Sequence, residues 1–396
     1  LSADGKRGGK RAKALKDFRC QNEWLNDHAL YCALHDHLKK GWKDWPPELR
    51  DRDKTALTHA ARQNAKEILY QCWLQWQLDR QWQEARKNAC RWGVDFMGDL
   101  PFVVSWDSSD VWAHREWFRL DRRVGTPPDF FSPTGQDWGL PLYDWPTMAR
   151  TDFQWMRERA RRSGTMYGLF RVDHVIGMYR TYSRSHDGRR ASFSPSDEEA
   201  QIRLGETLLT IMSGFGQVIA EDLGAVPDFL PPSLGRLKVP GYRVLRWEKI
   251  ETWRNGHKEI LVRDPASWPV ISVATSGTHD TETQAEWWNN ISPEERRAFI
   301  ALPAMQGLDP HQDFDLRIRD GLLQTLYASR SQLCLLPFQD LMGSRERVNV
   351  PGTVNDGNWT YRMPMDLDDL RADQDTTHRL AQLAINNHRG LASKMR

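Results

Sequence analysis

Apolar positions fall into two textures along the chain, and the change between them comes at Gly93. From Asn22 to Cys90 the spacing is helical. Ala61, Ala65, Leu69, Cys72 and Trp76 follow one another at intervals of four or three, which draws a single apolar stripe down a helix face. Pro46-Pro47 breaks this region into at least two helical parts. Beyond Gly93, short apolar runs of strand length alternate with longer helix-like stretches. Val94–Asp99, followed by Pro101–Val104, predicts a strand and its exit. Residues 168–173, 217–221, 242–247, 271–275 and 332–337 predict five more strands, and 199–213 and 313–329 predict helices between them. Strands separated by helical crossovers indicate a parallel sheet. Six strands fit an open sheet, or a (β/α)8 barrel, which needs eight, with its first two strands upstream of Leu1. No apolar run before Gly93 supplies the missing pair, and the chain lacks an initiator methionine. Both features lead us to expect that it begins inside a longer protein. The stretch 105–145, rich in Pro, Gly and Trp, is too polar and too interrupted for core, and predicts a long functional loop.

Three of the predicted strands run into carboxylates: Leu169-Phe-Arg171-Val-Asp173-His174, Gln217-Val-Ile-Ala-Glu221-Asp222 and Ile271-Ser-Val-Ala-Thr-Ser-Gly-Thr-His279-Asp280. In a parallel barrel, residues at successive strand ends converge on one rim, where such folds carry their chemistry. Two carboxylates about 5–5.5 Å apart serve a retaining glycosidase as nucleophile and acid/base. Arg171 lies two residues before Asp173 and so on the same strand face, where its guanidinium favours the ionised carboxylate a nucleophile needs. Glu221, buried at a strand end near other anions, is expected to hold its proton and act as the acid. Asp222 points to the other side of the strand and reads as structural. Asp280 is the residue expected to grip ring hydroxyls, with His174 and His279 donating to neighbouring ones. Asp99, closing the first strand, faces either a sugar or Arg171.

Composition changes this picture little. Lys and Arg number 55 against 53 Asp and Glu, for a net charge of +2. That balance points to neither nucleic acid nor an anionic membrane as partner. Six Lys/Arg among the first sixteen residues read as a solvated linker or helix entry. No apolar stretch approaches the length of a membrane span, and the start lacks the apolar region of a signal peptide. Five cysteines without a Cys-x-x-Cys pair predict a reducing compartment, the cytoplasm. No phosphate-binding loop, dinucleotide fingerprint or metal-ligand spacing occurs, and His35-Asp-His37 is too short to read as a ligand set. No cofactor and no metal are expected. Nineteen tryptophans are the one anomaly; Trp faces suit sugar rings as well as a core.

Several segments then occur together and in order. They are Gly98-Asp99-Leu-Pro101-Phe, Ser109-Asp110-Val-Trp112-Ala, Pro127-Pro-Asp129-Phe-Phe131-Ser-Pro-Thr-Gly135-Gln136-Asp-Trp138-Gly139-Leu-Pro141-Leu-Tyr143, Arg171-Val-Asp173-His174, Glu221-Asp222-Leu-Gly224, Pro240-Gly241, Thr278-His279-Asp280, Gln339-Asp340-Leu-Met and Val348-Asn349-Val-Pro351-Gly352…Gly357-Asn358-Trp359. From about residue 20 to the end the chain resembles the amylomaltases, the 4-α-glucanotransferases related to the α-amylase superfamily. The resemblance implies a single catalytic domain over 1–396 of the (β/α)8 TIM-barrel type, lacking its first two strands, with a helical insertion at 20–90 and an active-site loop at 105–145. It implies catalytic Asp173, Glu221 and Asp280. Maltodextrin donor and acceptor would be held by Arg171, His174, His279, Asp99, Gln136, Trp138, Asp129 and Asn349. It also implies that the Pro127–Trp145 loop favours a sugar acceptor over water. Leu140, where the family usually has Asn, and Val175-Ile176, in place of an aromatic and basic pair, depart from the pattern and bear on substrate detail.

Overall fold

The computed structural model describes residues 9–128, 134–188, 190–254 and 257–389. Contacts along the chain divide it into two units, Leu1–Leu237 and Lys238–Arg396.

The first unit opens with helices Lys10–Gln21, Trp24–Leu38, Pro47–Arg50, Lys54–Gln63 and Ala65–Cys90. Pro47 starts a helix, its fixed φ and missing N–H costing nothing in the first turn. Asp53 caps the next by accepting the Ala56 N–H. The long helix Ala65–Cys90 packs Cys72 and Trp76 against Leu15, Phe18, Leu25 and Ala29, with Ile68 at the edge. Leu69, expected in that stripe, is exposed, because the helix presents Ile68, Cys72 and Trp76 to its neighbours.

No strand precedes Met97 among the described residues. The strands of this unit are β1 (Met97–Leu100), β2 (Phe118–Thr126), β3 (Gln136–Tyr143), β4 (Leu169–Val172), β5 (Thr181–Ser185), β6 (Ala191–Ser194) and β7 (Gln217–Ala220). β1, β4 and β7 form a parallel sheet in which Asp99 pairs with Arg171, and Arg171 with Ile219. Helix Gln154–Met166 leads into β4. Helix Glu198–Ser213, capped by Asp197 on the Ala200 N–H, leads into β7 and buries Leu204, Leu208, Leu209 and Met212. Gly98 is required by packing: a Cβ there would lie 2.0 Å from the Tyr167 ring.

The remaining strands correct one expectation. Residues 105–145 are not a plain loop: β2 and β3 pair within it, and β2 goes on to pair with β5, and β5 with β6, in a four-stranded antiparallel sheet. Val111, Trp112, Phe118, Val124, Leu142 and Tyr143 are buried there. The polar look of β2 comes from arginines that find partners. Arg122 donates to the hydroxyls of Ser183 and Ser192, and Arg123 pairs with Asp137.

The second unit contains β8 (Gly241–Val244), β9 (Lys249–Arg254), β10 (His257–Val262), β11 (Ser272–Thr275) and β12 (Leu333–Cys334). β11 lies between β8 and β12 and runs parallel to both; β9 and β10 form a separate hairpin. Helix Leu316–Tyr327, capped by Asp315, joins Trp268, Trp288, Phe299, Met305 and Leu322 in the core of this unit. The expected strand 332–337 is much shorter, only Leu333–Cys334, and ends before Pro337, which opens helix Phe338–Met342.

Candidate active site

The centre of the first unit's site is Arg171 on β4. Its Nε and Nη2 donate to the two carboxylate oxygens of Asp99 at 2.9 and 3.0 Å, and Nη2 also donates to Asp173 Oδ1 at 2.8 Å. Strand alternation places Arg171 and Asp173 on one face, and the β1–β4 register sets Asp99 beside the guanidinium. Asp99, left open between two partners by the sequence, therefore faces Arg171. Burial works against the guanidinium charge, but its hydrogen bonds to Asp99 and the fields of Asp99, Asp173 and Glu221 outweigh it, and Arg171 is held more firmly protonated than usual.

The ladder continues past the strand ends. The Asp173 N–H donates to Leu100 O, and the Glu221 N–H donates to Val172 O, both at 3.1 Å. Asp173 and Glu221 therefore stand next to each other on neighbouring strands, on one face. Adjacent strands are about 4.8 Å apart, so the two side chains leave the sheet from neighbouring positions. The two carboxylates have different surroundings. Burial first, then the negative charges of Asp173 and Asp222, push Glu221 up to about 8, against opposing pulls from Arg171 and the His174 N–H. Asp173 is clamped by Arg171; Asp222, the residue after Glu221, is buried.

His174 follows Asp173 in the left-handed region, at φ 43°. This turn aims its N–H at Glu221 Oε2, at 2.8 Å. Its ring lies against Phe102 and the edge of Trp138, with centroids 5.6 and 5.0 Å away. Burial there drops the imidazole to about 4, so that it is neutral at ordinary pH. Trp138 in turn donates from Nε1 to Gln136 at 3.0 Å. Thus Asp99, Arg171, Asp173, His174, Glu221, Gln136 and Trp138 form one connected set. Asp129 lies outside the described residues.

In the second unit, the turn after β11 carries His279 and Asp280. Asp280 is exposed; its Oδ1 accepts from Asn349 Nδ2 at 2.7 Å, and its Oδ2 lies 3.3 Å from His279 Nε2. Two neighbours were not among the site residues expected from the sequence. Arg347 donates to Asp280 O at 3.3 Å, and the largely exposed Trp359 ring lies 5.3 Å from that of His279. Trp359 sits in the segment Gly357-Asn358-Trp359, and an aromatic in that setting was the available signal.

Two carboxylates so placed, one clamped by a cation and one holding its proton, are the equipment of glycosyl transfer with retention. Comparison with known proteins gives the same class. Residues 2–368 match the glycoside hydrolase family 77 profile, described as 4-alpha-glucanotransferase. The chain is 32% identical over 363 residues to the 4-alpha-glucanotransferase of Chlamydia pneumoniae, covering 88% of this chain and 66% of that one. It is also 32% identical over 378 residues to that of Thermus thermophilus, covering 90% and 73%. It superposes on the amylomaltase of Streptococcus agalactiae, solved in complex with acarbose, with a TM-score of 0.82 and 28% identity over 97% of this chain and 76% of that one. The fold is accordingly of the TIM-barrel type. The chain belongs to the 4-alpha-glucanotransferase family, and it spans about two thirds of the length of the curated relatives it matches.

Proposed function

We propose that the protein moves α-1,4-glucan segments between maltodextrins with retention at the anomeric carbon. The observation that carries this reading is the pair Asp173 and Glu221, side by side in register with opposite needs for a proton. An Asp173 oxygen attacks the anomeric carbon while Glu221 gives its proton to the departing 4-oxygen. The glycosidic bond breaks and a β-linked glycosyl ester forms. Esterification removes the Asp173 charge, which is one of the influences holding Glu221 protonated, so the free carboxylate becomes easier to keep. Glu221 then takes the proton from the 4-hydroxyl of a second glucan, whose oxygen displaces Asp173. Two inversions give retention, and the scheme requires no metal or cofactor.

Asp280 is assigned to the 2- and 3-hydroxyls of the reacting ring on the strength of the sequence resemblance, with His279 and Asn349 orienting it. Trp138, Gln136 and Trp359 are assigned to sugar contact. All five cysteines are free thiols and no described helix is long and apolar enough to cross a membrane; we assign the protein to the cytoplasm.

The test is incubation with maltotriose alone. Products both longer and shorter than the substrate should appear with constant total reducing ends, because each transfer breaks one bond and makes one. A rise in reducing ends matching the bonds lost would make the protein a hydrolase instead. Asp173→Ala should abolish reaction. Glu221→Gln should still react with an α-maltosyl fluoride, whose leaving group needs no acid, and should accumulate the ester.

A further inference from the structure

Two charged side chains in the second unit are almost wholly buried, and the scheme above uses neither. Arg246 is 3% exposed and Asp340 is 2% exposed. Burying an ion costs several kcal/mol unless its partners are well placed, so their partners are informative. Arg246 follows β8, and Asp340 lies in helix Phe338–Met342 after β12; these are the two strands that flank β11. Both ions reach the exit of β11, one from each side.

Arg246 Nε donates to Ser276 O, and Nη1 donates to Glu282 O, each at 2.9 Å. Asp340 Oδ2 accepts the Ser276 hydroxyl at 2.5 Å, and Oδ1 accepts the Gln284 N–H at 2.7 Å. The segment between these anchor points contains Thr278, His279 and Asp280. Each ion therefore grips the segment at its beginning and again at its end. Inside it, the Thr281 hydroxyl accepts the Thr278 N–H and donates to Thr278 O, both at 3.0 Å. Gly277 leaves room for this: a Cβ there would lie 2.3 Å from Thr281 Oγ1 and 3.2 Å from Arg246 Nη2. Asp280 itself is exposed; Asn349 and His279 meet its carboxylate, while the turn between the anchor points sets where its backbone stands.

We propose that Arg246 and Asp340 are positioning residues for the transfer reaction, fixing both ends of the Ser276–Gln284 segment and thereby the direction of the Asp280 carboxylate. This rests on the reading of Asp280 as the residue that holds the reacting ring. Neither ion touches substrate. Their removal should act on turnover through Asp280 and through nothing else.

A double-mutant cycle decides it. Asp340→Asn keeps the side-chain volume and one acceptor while removing the charge. With α-maltosyl fluoride as donor and maltose as acceptor, it should lower kcat on the order of 10²-fold, the effect of misplacing a reacting group by about an ångström. KM should change far less, and the melting temperature by only a few degrees. In an Asp280→Asn background the same substitution should cost almost nothing more. An equal loss in both backgrounds would overturn the proposal, since the effect would then bypass Asp280. Ser276→Ala, which removes a single hydrogen bond to Asp340, guards against a variant that does not fold; it should show a smaller loss in kcat, again absent in the Asp280→Asn background. Wild-type kcat in Ser276→Ala would overturn the clamp. A fully active Asp280→Asn would instead overturn the role given to Asp280, and the proposal with it; the two failures are thus distinguishable.

Discussion

Replacing Glu221 with glutamine should stabilise the protein, and the gain should grow with pH. The folded protein holds this carboxyl at about 8 against an ordinary value of 4.5. Between those two values the native state keeps a proton that the unfolded chain has released, so native stability falls as pH rises through the interval. Glutamine has the shape of the protonated acid, can still accept the His174 N–H, and does not titrate. The variant should match the wild type near pH 4.5 and pull ahead until about pH 8. At 1.36 kcal/mol per pH unit, the ceiling is about 5 kcal/mol. Glu221 is only partly buried, and solvent screening reduces this to about 2–3 kcal/mol. With an unfolding entropy of roughly 2.1 cal/mol/K per residue, a chain of this length gains roughly 3 °C at pH 9 and less than roughly 1 °C at pH 5. Thermal melts of both proteins across pH 5–9 measure the difference. A melting-temperature gap that does not change with pH, or one in which the variant loses ground as pH rises, would refute the argument that burial and the neighbouring anions dominate the environment of Glu221.

Two further outcomes follow from the same geometry. The kcat/KM for maltotriose should fall on the alkaline side with an apparent pKa near 8, because only protonated Glu221 serves as the acid; a profile level to pH 10 would contradict that assignment. Gly98→Ala should destabilise the protein by about 1–3 kcal/mol, because its Cβ would lie 2.0 Å from the Tyr167 ring. An unchanged urea midpoint would show that the ring swings clear, although Trp82 lies against it.

The placement of Arg171, Asp173 and Glu221 was legible because it depends on short-range rules. Arg171 and Asp173 share a face by alternation, Glu221 ends the next parallel strand, and the burial that raises its pKa follows from the apolar run before it. Position along a strand and pairing with a parallel neighbour decide all three. What was missed depends on distant pairing. In β2, four of nine residues are charged, Arg119, Asp121, Arg122 and Arg123. Nothing nearby reveals that Ser183 and Ser192, some sixty to seventy residues on, will take up Arg122. On helix Ala65–Cys90 the expected stripe keeps Cys72 and Trp76 but misplaces one position for the same reason: helices Lys10–Gln21 and Trp24–Leu38 take Ile68 in place of Leu69. Arg347 and Trp359 reach the Asp280 turn from a stretch without regular structure, where no period predicts which way a side chain faces. The clamp on that turn was partly visible. Gln339-Asp340 stood out as a segment, but only burial shows that its carboxylate is enclosed.

The packing of the His174 ring between Phe102 and Trp138 has a consequence for the conditions under which the site can operate. A solvated imidazole one residue from Asp173 would change charge near pH 6.5, close to neutral. Every modest acidification would then add a cation beside Asp173 and alter the field around Glu221. Burial moves that event down to about 4, while the Glu221 carboxyl is pushed up to about 8. Between those two values the imidazole is mainly neutral and the resting carboxyl mainly protonated. Burial of the imidazole thus keeps its change of charge well away from neutral pH.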